Sequence, residues 1–165
     1  MNILGNQHNM NKTQSIWTNP VHFFASAFGA GAMPIAPGTF GTIMAIPLVL
    51  ILAKFPHWLY ALISALYIIA AIWACDKTAK DWGLEDPGAT ASDEVAGFLV
   101  TMFAIEPTLL SVSLAFVLFR ILDIWKPFPI RWFDKNIHGG IGIVLDDVIA
   151  GLVTCVVVHF VLKWV

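Results

Sequence analysis

Charged residues are scarce in this chain of 165 residues, at 12%, whereas a typical soluble domain has about 25%. Cysteine is also scarce: Cys75 and Cys155 fall within or at the end of apolar runs and form no CxxC or Cys/His pattern. This argues against a zinc cluster, and we interpret both as packing residues. The net charge of -2 provides no basic excess, so we expect no nucleic-acid partner.

Apolar residues dominate instead, at 58% of the chain, with a mean hydropathy of +0.78. Five runs are long enough, or nearly so, to cross a bilayer, which takes roughly 20 residues. These runs are Thr39–Ala53, Trp58–Cys75, Val95–Ile105, Thr108–Ile124 and Val148–Val165. We predict an all-α polytopic membrane helix bundle with about five crossings.

Glu106-Pro107 separates the third run from the fourth. Two crossings are favoured over one bent helix, because Pro107 removes a helical donor and Glu106 would otherwise lie at mid-membrane. The third run is short, so we expect its helix to start near Ser92 or the membrane to thin locally. With the amino terminus inside, only Lys54 and Lys163 of the nine cations lie outside, as the positive-inside rule predicts.

The amino-terminal residues 1–20 are polar and carry no apolar core of the signal-peptide kind. We predict that they form a cytosolic tail, and that residues 21–165 form a single membrane domain. Val21–Ile35 is apolar, but it contains Pro34 at its end and Pro37 follows two residues later. We therefore predict an interfacial or re-entrant helix on the cytoplasmic side rather than a span.

Five carboxylates stand where apolar runs begin or end, on the predicted cytoplasmic side: Asp93, Glu94, Asp123, Asp146 and Asp147. Asp93-Glu94 could simply complement a helix dipole, and Asp146 could be an ordinary N-cap. Neither alternative requires adjacent acids, which repel each other unless a cation lies between them and other ligands. The pattern predicts a site for Mg²⁺ or Mn²⁺, with these five as metal ligands.

Arg120, Asp123 and Lys126 recur at i, i+3 and i+6, which places them near one another at the end of the fourth run. A surface salt-bridge ladder is the alternative. A carboxylate flanked by two cations beside lipid also suits a site that holds a metal and a phosphate. Prolines follow Lys126, and we predict a stiff extended segment that aims Arg131 at the same phosphate.

Small residues and one histidine complete the set of candidates. Gly38 and Thr39 open the first span, where exposed amides could hold an anion, although Thr39 could instead be a helix cap. Gly97 and Gly151 would let helices approach closely. His138, beside two glycines, is a possible proton donor.

Several of these motifs recur together as a family pattern. They are Ala-Pro-Gly-Thr at 36–39, Asp93-Glu94, Phe119–Asp123 with Lys126-Pro127 and Pro129-Ile130, Gly139-Gly140, and Asp146-Asp147 with Ala150-Gly151. From about Asn19 to the last span, the chain closely resembles the phosphatidylglycerophosphatase A family. The resemblance implies a Mg²⁺-dependent phosphatase of the bacterial inner membrane that converts phosphatidylglycerophosphate to phosphatidylglycerol and phosphate, with its active site on the cytoplasmic side.

Two enzymatic routes are open. In the first, the acids bind one or two Mg²⁺ ions that activate a water for in-line attack, while Arg120, Lys126, Arg131, Thr39 and Gly38 contact the phosphate. In the second, Asp123 or Asp146 is a nucleophile that forms an aspartyl phosphate. A small transporter or ion-conducting protein is the alternative of a different class, but it predicts acids within the spans. The sequence leaves the oligomeric state open.

Overall fold

The computed structural model describes residues 13–164, and this part of the chain contains helices and no strand. Residues 13–18 are helical, and a 3₁₀ turn follows at Ala30–Ala32. The remaining helices are α1 (Pro20–Ala25), α2 (Pro37–Leu52), α3 (His57–Trp82), α4 (Ser92–Thr101), α5 (Leu109–Trp125), α6 (Ile130–Asn136) and α7 (Gly139–Leu162). The all-α prediction is confirmed for the described residues.

Each of the five predicted apolar runs coincides with a helix, but five crossings are not confirmed. Within residues 13–164, α3 with 26 residues and α7 with 24 are the helices long and apolar enough to span a bilayer. The ten residues of α4 rise only about 15 Å at 1.5 Å each. The two long helices indicate membrane association. The outward-facing apolar stripe Leu62, Leu66, Ile69 and Trp73 on α3 is consistent with lipid contact.

The break between the third and fourth runs lies where Glu106-Pro107 predicts it. The helix α4 begins at Ser92, as expected, and ends at Thr101, and α5 begins at Leu109. The side chain of Thr108 accepts a hydrogen bond from the Ser111 amide, and Ser111 Oγ accepts one from the Thr108 amide. This reciprocal capping starts α5 without a carboxylate.

The predicted amino-terminal helix over Val21–Ile35 is wrong as a continuous element. The helix α1 ends at Ala25, and Ala27 and Phe28 have positive φ angles of 49° and 59°. These left-handed residues turn the chain back so that Ala27 is fully buried. Part of the predicted tail also packs inward, because Ile16 is only 1% exposed and Ser15 Oγ accepts a hydrogen bond from Trp82 Nε1. Residues 1–12 of that tail lie outside the described residues.

The start of the last helix was also predicted wrongly. The helix α7 begins at Gly139 with His138 as its N-cap, so Asp146 is no N-cap. A Cβ atom at Gly140 would lie 2.2 Å from the Ile72 carbonyl oxygen, and the Gly140 amide donates a hydrogen bond to Asp76 Oδ1 at 3.1 Å. Glycine therefore allows the first turn of α7 to pack directly on α3, which outweighs its poor helix propensity.

The helix α4 lies at the centre of the bundle and packs on α2, α3 and α7. Its contact with α7 is a glycine crossing: a Cβ atom at Gly151 would lie 2.3 Å from the Gly97 carbonyl oxygen, and one at Gly97 would lie 2.6 Å from the Asp147 carbonyl oxygen. The backbones touch here, as the two glycines predict. This crossing positions the acids described next.

Candidate metal and phosphate site

One cavity of about 280 Å³ collects the acids at one end of the bundle. The starts of α2 and α4, the end of α5 and the second turn of α7 surround it. All five predicted carboxylates line the cavity, together with Arg120, Lys126 and Gly38. The structure thus brings together residues separated by up to 109 positions in the sequence, from Gly38 to Asp147.

Three of the acids form the centre of this cavity. Carboxylate oxygens of Asp93, Glu94 and Asp147 lie within 4.8 Å of one another. Asp93 and Asp147 each precede a glycine of the α4–α7 crossing by four residues, so the crossing sets their separation one helical turn away. Asp93 and Asp147 are only 8% and 3% exposed. Buried like charges at this distance need a cation or protons between them.

The remaining acids extend this group. Asp123 and Asp146 line the same cavity as Asp147. Among the described residues, Glu94 Oε2 and Asp146 Oδ1 are buried and have no hydrogen-bond partner. An oxygen donor set with unsatisfied buried oxygens is the chemistry that Mg²⁺ or Mn²⁺ requires, so these residues fit a divalent cation.

Arg120 supplies a positive charge at the edge of the acid group. Its Nη1 lies 2.6 Å from Asp123 Oδ2 and 3.9 Å from Glu94 Oε1. Its Nε is buried and, within the described part of the chain, donates to no partner. The predicted Arg120–Asp123 contact is therefore confirmed, and the guanidinium keeps a free donor for an anion.

Lys126 ends α5 in the left-handed conformation, with φ of 44°. Its Nζ contacts Asp134 Oδ1 at 2.5 Å and Asp146 Oδ2 at 2.6 Å. Partial burial acts to lower the pKa of Lys126, but these two hydrogen bonds outweigh it, and the net pKa is raised. Lys126 therefore carries its charge between two acids, rather than standing beside Asp123 in a ladder along α5.

The start of α2 faces the cavity through its backbone. Its N-cap is Ala36, with φ of 50° and no side-chain cap, so Thr39 is not the cap. A Cβ atom at Gly38 would lie 2.0 Å from Glu94 Oε1, which means that only glycine permits this approach. Thr39 does not line the cavity, and its amide donates to the Ala36 carbonyl.

Two predicted residues lie elsewhere. The extended conformation predicted for the segment after Lys126 does not continue to Arg131, because α6 begins at Ile130. Arg131 lines a separate groove on α6. His138 lines a neighbouring cavity with Asp76 and Lys80 rather than the one that holds the acids.

Two acids at or beside this cavity, Asp86 and Asp134, were not predicted from the sequence. Asp86 lines the cavity, and desolvation there raises its pKa, although Lys126 acts in the opposite direction. Asp86 could have been predicted as a site residue from the sequence, because it precedes Pro87-Gly88 and lies close to Asp93 in the chain. The ion pair between Asp134 and Lys126 could not be predicted from the sequence, because it depends on how α6 folds back on α5.

Comparison with known proteins gives the family of this chain. Residues 23–162 match the profile of the family described as phosphatidylglycerophosphatase A. This chain belongs to the phosphatidylglycerophosphatase A family. That membership confirms the predicted resemblance and the prediction of a phosphatase.

Two phosphatidylglycerophosphatase A relatives cover most of the chain. The one from Escherichia coli (strain K12) is 41% identical over 162 residues, 98% of this chain and 94% of the relative. The one from Haemophilus influenzae is 37% identical over 148 residues, 88% of this chain and 91% of the relative. A Bacteroides thetaiotaomicron protein provisionally named phosphatidylinositol-3-phosphatase is 36% identical over 148 residues, 85% of this chain and 91% of the relative. No solved structure matches the chain.

Proposed function

We propose that this protein hydrolyses the phosphomonoester of phosphatidylglycerophosphate, releasing phosphatidylglycerol and inorganic phosphate in phospholipid biosynthesis. The observation that carries the proposal is the cavity in which Asp93, Glu94 and Asp147 converge beside Arg120, in a chain of this family. The names of the relatives concern lipids whose headgroup bears a phosphomonoester beyond a phosphodiester. A multi-pass protein of the bacterial inner membrane, with this cavity on the cytoplasmic side, is part of the same proposal.

Asp93, Glu94 and Asp147 are the residues that would hold Mg²⁺ or Mn²⁺, with Asp123 and Asp146 adjoining. A divalent cation bound there would supply Lewis-acid stabilisation of the phosphoryl group. It would also provide a partner for buried oxygens such as Glu94 Oε2, which has no hydrogen-bond partner among the described residues. The convergence of these acids at one end of the bundle supports a metal-dependent enzyme over a transporter, which needs polar groups along the spans.

The protein residues supply the rest of the chemistry. Arg120, oriented by Asp123 at 2.6 Å, binds the non-bridging oxygens and offsets the charge that develops on them. Gly38 lets the start of α2 lie against Glu94 and Arg120, so that its backbone borders the cavity proposed for the phosphate. A carboxylate, Asp123 or Asp147, accepts the proton of the attacking water as the P–O bond to the lipid glycerol breaks, and that proton passes to the leaving alkoxide. In the alternative route, Asp123 or Asp146 attacks phosphorus and displaces the lipid alcohol, and water then hydrolyses the aspartyl phosphate to release phosphate. Inversion at phosphorus distinguishes the first route from the retention that two displacements produce.

The test uses the purified chain in neutral detergent with phosphatidylglycerophosphate. We expect Mg²⁺-dependent phosphate release that EDTA abolishes and excess Mg²⁺ restores. Glu94→Gln should lower kcat by roughly a hundredfold or more, since it removes a buried oxygen ligand and a charge. Glu106→Gln is the matched control, because Glu106 lies in a different cavity and its loss should leave kcat unchanged. Undiminished phosphate release in EDTA would refute the metal-dependent proposal.

A further inference from the structure

A groove of about 420 Å³ on α6 is not explained by the acid site. Its lining is Lys126, Pro127, Phe128, Arg131, Trp132, Lys135 and Asn136, with no acid among them. Arg131 and Lys135 are four residues apart on α6, so both side chains lie on one face of the helix. The groove therefore combines three cations with aromatic walls.

Two of the three positive charges of this groove, those of Arg131 and Lys135, are not paired within the described part of the protein. Over residues 13–164, four cations each pair with a carboxylate, namely Lys77, Lys80, Arg120 and Lys126. Arg131 and Lys135 form no ion pair within the same residues. Two adjacent unpaired cations in a concave site favour binding of an anion, and Arg in particular suits phosphate oxygens.

The exposed aromatic residues of this groove suit a position at the level of lipid headgroups. Phe128 is 86% exposed and Trp132 is 53% exposed, which costs hydrophobic free energy in water but suits the membrane–water interface. Lys126 lines both this groove and the acid cavity. The two sites are thus adjacent, one acidic and the other basic, at one end of the bundle.

We propose that the α6 groove binds the phosphodiester of the lipid substrate while its phosphomonoester occupies the acid cavity. This inference rests on the proposed function. Phosphatidylglycerophosphate carries both groups on one headgroup, joined by a three-carbon unit, and its diester is a monoanion that Arg131 and Lys135 complement. Phosphatidate has only a monoester, so it lacks this contact. Arg131 and Lys135 are accordingly specificity-determining residues of the reaction.

The test is the double variant Arg131→Gln/Lys135→Gln in neutral detergent micelles. We expect kcat/KM for phosphatidylglycerophosphate to fall on the order of tenfold, since two charge-assisted contacts are lost. Phosphatidylglycerol, which keeps the diester but lacks the monoester, should inhibit the parent protein competitively and the variant about tenfold more weakly. Inhibition by inorganic phosphate should be unchanged. Lys54→Gln/Lys163→Gln removes two exposed cations elsewhere and should match the parent.

Each other outcome counts against the subsite. If phosphatidylglycerol inhibits parent and variant equally, or inhibits neither, no diester is bound by the groove. If inhibition by phosphate weakens as much as inhibition by phosphatidylglycerol, the groove belongs to the monoester site. A loss of activity seen only in vesicles with anionic lipid shows that the groove binds the bilayer instead. A parent protein without activity on phosphatidylglycerophosphate would refute the proposed function itself.

Discussion

Asp147→Asn should stabilise the metal-free protein while removing its response to metal. The carboxylate oxygens of Asp93, Glu94 and Asp147 lie within 4.8 Å of one another. Two unit charges 4.8 Å apart repel by about 3.5 kcal/mol at an effective dielectric constant of about 20, so the two pairs that Asp147 forms with Asp93 and Glu94 oppose folding by about 7 kcal/mol when all three acids are ionised. Without metal, this repulsion is present in the folded state and largely absent in the unfolded chain.

Proton uptake limits how far this repulsion can destabilise the metal-free folded protein. Protonating one carboxyl group with an ordinary pKa of about 3.9 at pH 7 costs about 4 kcal/mol and removes the repulsion. Arg120, 3.9 Å from Glu94, offsets part of the remainder. We therefore expect Asp147→Asn to raise the free energy of unfolding of the metal-free protein by about 1 to 4 kcal/mol.

Thermal unfolding in neutral detergent, followed by the fluorescence of the seven tryptophans, measures both effects. In EDTA the variant should have the higher Tm, whereas Mg²⁺ should raise the Tm of the parent and leave the variant unchanged. Asp81→Asn is the control with the opposite sign, because Asp81 pairs with Lys77 and His22. Asp81→Asn should have a lower Tm than the parent, and Mg²⁺ should still raise that Tm. A variant Asp147→Asn that melts below the parent in EDTA, or responds equally to Mg²⁺, would refute the reasoning.

Two further predictions concern packing and charge. Gly151→Ala should lower the free energy of unfolding by about 1 to 3 kcal/mol through overpacking, because the new Cβ atom would lie 2.3 Å from the Gly97 carbonyl oxygen. Gly88→Ala is the control, because a Cβ atom there meets nothing within 4 Å. Equal Tm values for the two variants would contradict the prediction. Lys126→Met should lower the free energy of unfolding by about 1 to 3 kcal/mol. The loss is smaller than that expected for breaking a fully buried ion pair, because the Lys126 side chain is 26% exposed. Chemical unfolding should show that Lys126→Arg recovers most of the loss; no difference between the two variants would count against the ion pairs.

The sequence predicted the helices best where the signal is local. Pro107 and the capping pair Thr108–Ser111 separate α4 from α5 whatever the rest of the chain does, because a missing amide and a short-range hydrogen bond act within a few residues. The start of α7 was predicted wrongly for the complementary reason. Glycine is a poor helix former in isolation, and only the contact of Gly140 with α3 makes a glycine-rich first turn favourable.

The amino-acid sequence by itself determined that this chain is helical and apolar, and that a small set of acids and cations stands at the helix ends. Composition and local hydrogen bonding are sufficient for that. Only the tertiary structure decided which charges meet. The Gly97–Gly151 crossing places Asp147 against Asp93 and Glu94, and the fold of α6 assigns Lys126 to acids while leaving Arg131 unpaired. Electrostatic interactions act through space, so charges far apart in the chain acquire partners only when the helices pack.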